Sequence, residues 1–325
     1  MKKTVKKIVA LCLAAVLVAS LFAGCSAQKG KYTIGICQLT QHDALDAATQ
    51  GFMDTLKEKL GEENVEFNLQ NASNDSATCA TITNQFVADG VDLIMANATP
   101  ALQAAMASTG TIPIVATSIT DYGTALDMDD FSGTTGINVT GSADLAPLAE
   151  QASMVKELCP DAKTVGILYC SAEPNSKYQA DVVKPELEAL GFEVKIYTCA
   201  DSNDIANAAT QACSEVDAIY IPTDNTIANA ASAVDQIAAP AGIPVIAGEE
   251  GICEGCGVAT LSISYYDIGV KAGEMAAEIL LNGADPATME IEYATDLTKK
   301  YVPERAKALG ITIPEGYTAI ETTEE

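Results

Sequence analysis

Short apolar runs alternate with amphipathic segments along most of this chain, and the alternation predicts an α/β fold. Residues 34–36 and 112–116 are continuous apolar runs, as expected of strands that are buried on both faces of a parallel sheet. Between such runs, Leu45, Phe52 and Leu56 recur at the spacing that places them on one face of a helix. Strands and helices that alternate in this way form right-handed βαβ units around an open sheet.

The same spacing predicts most of the remaining helices. They are a segment that stops at Gly90 and the segments 176–190, 202–214, 225–238, 266–281 and 299–309. A short extended segment is expected at residues 289–293, before the last helix.

The chain repeats its own order of elements. Residues 34–36 (IGI) return as residues 165–167 (VGI), and residues 112–116 (IPIVA) return as residues 243–247 (IPVIA), both 131 positions later. Each half therefore predicts a Rossmann-like, doubly wound sheet, and the whole chain predicts two similar α/β lobes.

The first half has fewer elements than the second unless the helix at 266–281 returns to it. The chain would then cross between the lobes three times and form a multi-strand hinge. We expect lobe 1 to comprise residues 31–139 plus 266–289, and lobe 2 to comprise residues 140–265 plus 290–325.

The first 25 residues have the pattern of a bacterial export signal. Four lysines precede an apolar run at residues 8–22, and small residues lead to Cys25, which resembles a lipobox. We expect residues 1–24 to be a lipoprotein signal peptide, Cys25 to be lipidated, and residues 25–30 to be a tether. An ordinary secretory signal with a chance cysteine is the alternative. A lipid on Cys25 would hold the protein on the extracytoplasmic face of the cell membrane.

Acidic residues outnumber basic residues by a wide margin. The chain has 44 Asp and Glu against 18 Lys and Arg, a net charge of −26. Such a charge disfavours nucleic acid and anionic lipid surfaces as partners. We expect a monomer whose membrane contact is its lipid anchor alone.

The cysteine pattern leaves several chemistries open. Cys253 and Cys256 could form a disulfide, a redox motif or half of a zinc site. A structural zinc site needs two more ligands, and the single histidine, His42, is far away in sequence. Most other cysteines fall in apolar strands or helix faces, where Cys packs as a small hydrophobic residue. We therefore expect free thiols, no metal and no cofactor.

Polar residues are concentrated where the predicted strands end. In open parallel sheets the binding crevice lies beyond the carboxyl ends of the strands. Six such segments would face one another across two lobes: residues 38–43, 97–100, 117–121, 171–176, 222–226 and 248–251. Helix capping explains some of their side chains, namely those of Asp43, Thr99, Ser176 and Asn225. It explains others less readily, namely those of Gln41, His42, Thr117, Ser118 and Glu249. Ser171 lies in the same set of loops and is a further candidate.

This arrangement favours a zwitterionic ligand. Helix N-termini that converge on a cleft offer free N–H groups to a carboxylate. Asp224 and Glu249, from the second lobe, would then pair with an ammonium group.

Six motifs carry a resemblance to a known family. They are QLTQHDALD (38–46), ATP (98–100), NVTG (138–141), LYCS (168–171), PTDNT (222–226) and YYDIG (265–269). They resemble the substrate-binding proteins of bacterial ABC transporters for tryptophan, tyrosine and phenylalanine. The similarity runs from about residue 32 to residue 311. It implies a type I periplasmic-binding-protein fold that closes on its ligand and delivers it to an ABC permease.

The resemblance also implies a set of pocket residues. They are Gln41, Thr99, Ser118, Ser142, Asn175, Ser176, Asp224 and Glu249. The chain departs from the family pattern at two positions. Gln41 stands where family members commonly carry Glu, and Cys170 where they often carry Asn. A neutral amide at position 41 would weaken recognition of an ammonium group there.

Other functions fit the sequence less well. The single histidine must serve any catalytic triad, no nucleophile motif surrounds a serine, and no Gly-rich dinucleotide loop follows the first strand, so we expect no enzyme. A sugar site often stacks the sugar on Trp, and the chain has no Trp. A receptor for another ligand (a sugar, nucleoside or peptide), or a sensor for a membrane signalling protein, remains the alternative to a lipid-anchored transport receptor for aromatic amino acids.

Overall fold

The computed structural model describes residues 31–320, which fold into thirteen strands and twelve α-helices. Cys25 and the predicted signal peptide and tether lie outside the described residues. The strands are β1 (Tyr32–Gln38), β2 (Val65–Asn71), β3 (Leu93–Asn97), β4 (Ile114–Ile119), β5 (Val139–Ala143), β6 (Thr164–Cys170), β7 (Glu193–Cys199), β8 (Ala218–Ile221), β9 (Val245–Ala247), β10 (Ala259–Ile263), β11 (Glu292–Tyr293), β12 (Leu297–Tyr301) and β13 (Thr318–Ala319). The helices are α1 (Asp43–Leu60), α2 (Ser76–Asp89), α3 (Thr99–Ser108), α4 (Tyr122–Leu126), α5 (Leu148–Leu158), α6 (Pro174–Ala189), α7 (Ile205–Glu215), α8 (Asn225–Ala228), α9 (Ala231–Ala241), α10 (Glu250–Cys256), α11 (Tyr265–Asn282) and α12 (Pro303–Ala308). None of the helices within residues 31–320 combines the length and the hydrophobicity needed to span a membrane.

The strands form two sheets, one in each lobe. The first has the order β11-β5-β4-β3-β1-β2 and the second the order β13-β12-β10-β9-β8-β6-β7. All neighbouring strands are parallel except β10 and β12. The predicted fold class, two doubly wound α/β lobes of the type I periplasmic-binding-protein kind, is confirmed.

Apolar side chains of each sheet are buried on both faces. On β1, Ile34 and Ile36 pack with Phe52 of α1, whereas Cys37 belongs to the cluster on the opposite face with Phe86 of α2. This two-sided burial explains why the strands read as continuous apolar runs.

The chain crosses between the lobes three times, after β5, β10 and β11. The crossings differ in position from the expected lobe boundaries. β5 pairs with β4, and β11 pairs with β5, so both strands belong to the first sheet. The boundaries expected at 139/140 and 289/290 would remove them from it. The reason is that backbone pairing with a distant strand, and not a change of composition, decides where a lobe ends.

Helix α11 returns to the first lobe and packs directly on α1. A Cβ added at Gly269 would lie 2.1 Å from the carbonyl oxygen of Ala48, and one at Gly51 would lie 2.2 Å from that of Tyr266. Because both glycines lack a Cβ, the two helix backbones come into contact. This close packing holds the start of α11, which directly follows the second crossing, against the first lobe.

Two predicted helices differ from the structure. Residues 225–238 form two helices, α8 and α9, because the chain leaves helical geometry at Ala230 (φ −140°, ψ 30°). Residues 299–301 belong to β12, which pairs with β10 at the edge of the second sheet. The following helix begins at Pro303, a residue that favours the first turn of a helix.

Candidate functional site

The carboxyl ends of the two sheets face each other across a cleft, and the two lobes touch there. The His42 Nε2 atom lies 3.2 Å from the Asn225 Oδ1 atom, and Asn74 Nδ2 donates to Thr226 Oγ1 at 3.0 Å. Burial and the nearby Asp121 carboxylate of the first lobe both raise the pKa of Tyr178, which lies in the second. These pairs join loops from opposite lobes, so the cleft is closed.

In the first lobe the cleft wall combines buried hydroxyls with strained backbone. Thr99 and Ser118 are buried at the carboxyl ends of β3 and β4. Ala98 (φ 85°) and Ser118 (φ 56°) have positive φ values, which non-glycine residues adopt at a cost of order 1–3 kcal/mol. The Ser118 Oγ atom is buried and has no hydrogen-bond partner within residues 31–320. Buried polar groups in folded proteins nearly always have a partner, so this hydroxyl is free to bond to a water molecule or a ligand.

In the second lobe the start of α6 provides a second oxygen of this kind. Asn175 donates from Nδ2 to Glu173 Oε2 at 3.1 Å and to the carbonyl of Thr223 at 3.3 Å. Its Oδ1 atom is buried and without a partner among the described residues. Ser176 is also buried, and its hydroxyl donates to the Thr223 carbonyl at 3.3 Å. Each lobe therefore offers at least one unsatisfied buried oxygen at the cleft, and the first lobe has another in Asn97 Oδ1 at the end of β3.

The two carboxylates predicted to bind an ammonium group bond to backbone N–H groups. Asp224 accepts from Ile227 N at 2.8 Å, which caps α8, and from Cys170 N at 2.7 Å. Glu249 accepts from Gly251 N at 2.8 Å and from Ile252 N, and so caps α10. Burial raises the pKa of Asp224 well above its usual range and that of Glu249 to about 7. Helix capping therefore explains both side chains, and their raised pKa values disfavour a fixed negative charge.

Other predicted residues have protein partners away from the cleft or lie in solvent. Ser142 Oγ donates to Ile268 O at 2.8 Å and accepts from the Thr117 hydroxyl at 3.0 Å, so Ser142 and Thr117 join β4 and β5 to α11. Ser171 is exposed and donates to Cys199 O at 3.1 Å. Gln41 is exposed at the rim. The sequence could not reveal this because strand ends carry polar residues for packing as well as for binding.

Glu173 is a buried carboxylate that the sequence reasoning did not single out. It accepts hydrogen bonds from the backbone N–H and the side chain of both Asn225 and Thr226, and from Asn175 Nδ2. Its position just before Pro174 indicates only a helix start. In the sequence, Glu173 is marked only as a charged residue in the loop before a helix. That feature is too common to identify a buried carboxylate.

A polar cluster also ties the hinge together. Asp144 follows β5, where it accepts from Thr120 Oγ1 and from the Tyr265 hydroxyl, both at 3.0 Å. Burial raises the pKa of Asp144. Asp144 belongs to the first crossing and Tyr265 to the second, so this bond links two of the three crossings.

The cysteines of residues 31–320 carry free thiols. Cys170 and Cys199 lie opposite each other on the neighbouring strands β6 and β7. Cys253 and Cys256 are buried on α10. Among the described residues, no group of three or more His, Cys, Asp and Glu side chains is placed to hold a metal ion.

Residues 33–322 match a family described as ABC transporter substrate binding protein. A tyrosine-binding protein of Clostridioides difficile is 35% identical over 294 residues, which cover 85% of this chain and 84% of that protein. The crystal structure of an ABC domain in complex with L-Trp from Streptococcus pneumonia is 33% identical, with a TM-score of 0.85 over 90% of this chain and 100% of that one.

A comparison with an open relative agrees with the closed cleft. The ligand-free, open structure of a substrate-binding protein with adhesive properties from Clostridium difficile is 35% identical and covers 90% of this chain and 100% of that one. Its TM-score is 0.69, against 0.85 for the L-Trp complex, although the two identities are similar. The two lobes of this chain are thus arranged more like those of the complex.

Proposed function

We propose a ligand on the premise that this chain belongs to the family of ABC transporter substrate-binding proteins, as its match over residues 33–322 shows. The proposed ligand is an aromatic amino acid, bound between the two lobes and released to an ABC permease. The protein acts by binding and not by catalysis.

One observation carries the proposal. Ser118 Oγ in the first lobe and Asn175 Oδ1 in the second are buried at the cleft without protein partners among the described residues. Leaving a buried polar atom unpaired costs about 1–3 kcal/mol. A ligand that presents hydrogen-bonding groups to both lobes removes this cost only when the cleft is closed, which is the differential affinity that closure requires. An amino acid, with polar groups clustered at one carbon, is such a ligand.

The relatives support the choice of an aromatic side chain. One is named for tyrosine binding, and another was crystallised with L-Trp. Because Gln41 is exposed at the rim and Asp224 and Glu249 cap helices, we do not assign them the ammonium group. The unpaired oxygens of Ser118 and Asn175 are the proposed acceptors.

Isothermal titration of the purified protein tests the ligand. L-Trp, L-Tyr and L-Phe are expected to bind, while tryptamine and indole-3-propionate, which each lack one charged group, should bind far more weakly. The chain contains no Trp, so all indole fluorescence comes from the added L-Trp, and a rise in its anisotropy reports binding. Binding of myo-inositol, galactose or a nucleoside, with no response to the amino acids, would overturn the proposal.

We also propose that the mature protein is monomeric and is anchored through Cys25 on the extracytoplasmic face of the membrane. The support is the sequence pattern before Cys25. Cell fractionation tests the anchor: a Cys25→Ser variant should lose its lipid and leave the membrane fraction. A variant that stays membrane-bound without a lipid would contradict it.

A further inference from the structure

Two consecutive residues at the start of α8 make side-chain contacts with the first lobe. Asn225 Oδ1 lies 3.2 Å from His42 Nε2, and Thr226 Oγ1 accepts from Asn74 Nδ2 at 3.0 Å. Helix α8 spans only Asn225–Ala228, so both contacts come from a single helical turn.

Glu173 determines which atoms of these two residues face the first lobe. Its Oε2 accepts from Asn225 Nδ2 at 2.8 Å, and its Oε1 accepts from Thr226 Oγ1 at 2.7 Å. The amide nitrogen of Asn225 and the hydroxyl hydrogen of Thr226 are therefore both directed to Glu173, inside the second lobe. What remains for the first lobe is an amide oxygen and a hydroxyl oxygen, which can only accept. His42 must then carry its proton on Nε2.

The first lobe supplies matching donors from a rigid loop. Ser73 (φ 53°) and Asn74 (φ 62°) are two successive residues in the left-handed region. The loop is held by Asn74 N to Leu39 O at 2.8 Å and by Ser73 N to Asn71 Oδ1 at 2.7 Å. The Asn74 amide is thus positioned in advance to reach the other lobe. The sequence reasoning did not include this loop among the cleft segments.

We propose that Glu173 is a positioning residue for lobe closure. By fixing the donors of Asn225 and Thr226, it presents two acceptors to His42 and Asn74, and the four residues form a latch that exists only in the closed state. The inference rests on the proposed function, since it describes how the same cleft is held shut. Groups that stabilise the closed state without touching ligand raise affinity by raising the closed fraction.

A latch and a ligand contact have different kinetic signatures. Loss of a latch bond opens the complex faster and leaves encounter with the open form unchanged. The off-rate should therefore rise while the on-rate stays constant, and the loss should be the same factor for every ligand. A residue that touches the ligand would instead change the ratio between ligands.

The variants are Asn74→Ala, Thr226→Val and Glu173→Gln, with Asn84→Ala as a matched control on the exposed face of α2. Stopped-flow anisotropy with L-Trp should show the off-rate rise about three- to tenfold in Asn74→Ala and Thr226→Val, as expected for one lost hydrogen bond between the lobes. Thr226→Val also loses the bond to Glu173, but that bond lies within the second lobe and is common to the open and closed forms. The same factor is expected in competition with L-Tyr. The double variant of Asn74 and Thr226 should be no weaker than either single variant. Glu173→Gln, which adds a donor where only acceptors fit, should weaken binding at least as much.

A ligand-free measurement separates this inference from the ligand assignment. A spin label at Thr81→Cys, on the exposed face of α2 and in a Cys213→Ser background that removes the partly exposed thiol, should enhance relaxation of the amides of residues 225–228 through transient closure. The enhancement should fall in Asn74→Ala, whether or not aromatic amino acids bind. If the wild type binds none of them, the proposed function fails and this measurement still decides the latch. Unchanged off-rates and unchanged relaxation in Asn74→Ala, or a loss that differs between L-Trp and L-Tyr, would overturn the latch.

Discussion

Ser118 combines two features that a folded protein normally avoids. Its backbone is in the left-handed region, and its buried hydroxyl has no partner within residues 31–320. Thr260 shares the second feature only, because its Oγ1 atom is also buried and unpartnered but its residue lies within the strand β10. The two hydroxyls therefore allow the effects of ligand binding and of burial to be compared.

We predict that Ser118→Ala lowers affinity for L-Trp about tenfold, since one hydrogen bond to the ligand is lost. The same change should leave the ligand-free protein as stable or more stable, because an unpaired buried hydroxyl is removed. Thr260→Val should also keep or raise stability, but with unchanged affinity. Calorimetry and thermal unfolding measure the two quantities. Equal affinity in wild type and Ser118→Ala would remove Ser118 from the site.

At the residue scale the sequence predicted which loops lie at the cleft better than it predicted what each side chain in them contacts. His42 and Asn225 were expected to touch ligand, whereas the structure pairs them with each other over 183 positions. A loop sequence shows which strand end it follows, but not which loop of the other lobe lies opposite. Glu173 went unnoticed for the same reason, since its partners are 52 and 53 positions away.

At the scale of elements, the strands were the most predictable part of the molecule. Their apolar runs report burial on both faces, which is a local property of the sequence. The break between α8 and α9 and the strand β12 were not predicted. The first depends on the buried bonds that hold α8, and the second depends on pairing with β10. Neither leaves a periodic pattern in its own segment.

The helix cap at Glu249 gives a pH dependence whose sign can be derived. Burial raises its pKa to about 7 in the folded protein, against ~4.3 for an exposed Glu. The folded state thus keeps a proton that the unfolded state has already released. The stability contributed by this group is present below pH ~4.3 and is lost as the pH rises through about 7, with a total on the order of 3–4 kcal/mol.

We predict that Glu249→Gln flattens the fall in unfolding free energy between these two pH values, because its amide does not titrate. Urea unfolding at a series of pH values measures the difference from wild type. His42, whose pKa burial lowers, contributes with the opposite sign, but it is the same in both proteins and cancels. Glu62→Gln, at an exposed position, should run parallel to wild type. A wild-type slope retained in Glu249→Gln would contradict the assignment.

At the scale of the whole molecule, closure balances new hydrogen bonds between the lobes against buried polar groups left unpaired. The closed cleft buries Ser118 Oγ and Asn175 Oδ1 without partners among residues 31–320, while the cross-lobe bonds of His42 and Asn74 offset part of that cost. A ligand tips the balance by satisfying the buried oxygens.

We therefore predict that the ligand-free protein is more open than the closed arrangement described above. Small-angle X-ray scattering should give a larger radius of gyration without ligand, and saturating L-Trp should reduce it to the value calculated for the closed lobes. D-mannitol at the same concentration serves as a control for solvent effects. A radius that already equals the closed value without ligand would contradict the prediction.

The three crossings have a consequence for how the protein is made. The first sheet is completed only by β11, and the second only by β12 and β13. Neither lobe is therefore formed by one continuous stretch of polypeptide. A nascent chain that has emerged only as far as β10 lacks the outer strands of both sheets and the helix that packs on α1. A premature stop in the last part of the gene would consequently leave both sheets incomplete. We therefore expect the two lobes to complete folding together, after the last strands have been synthesised.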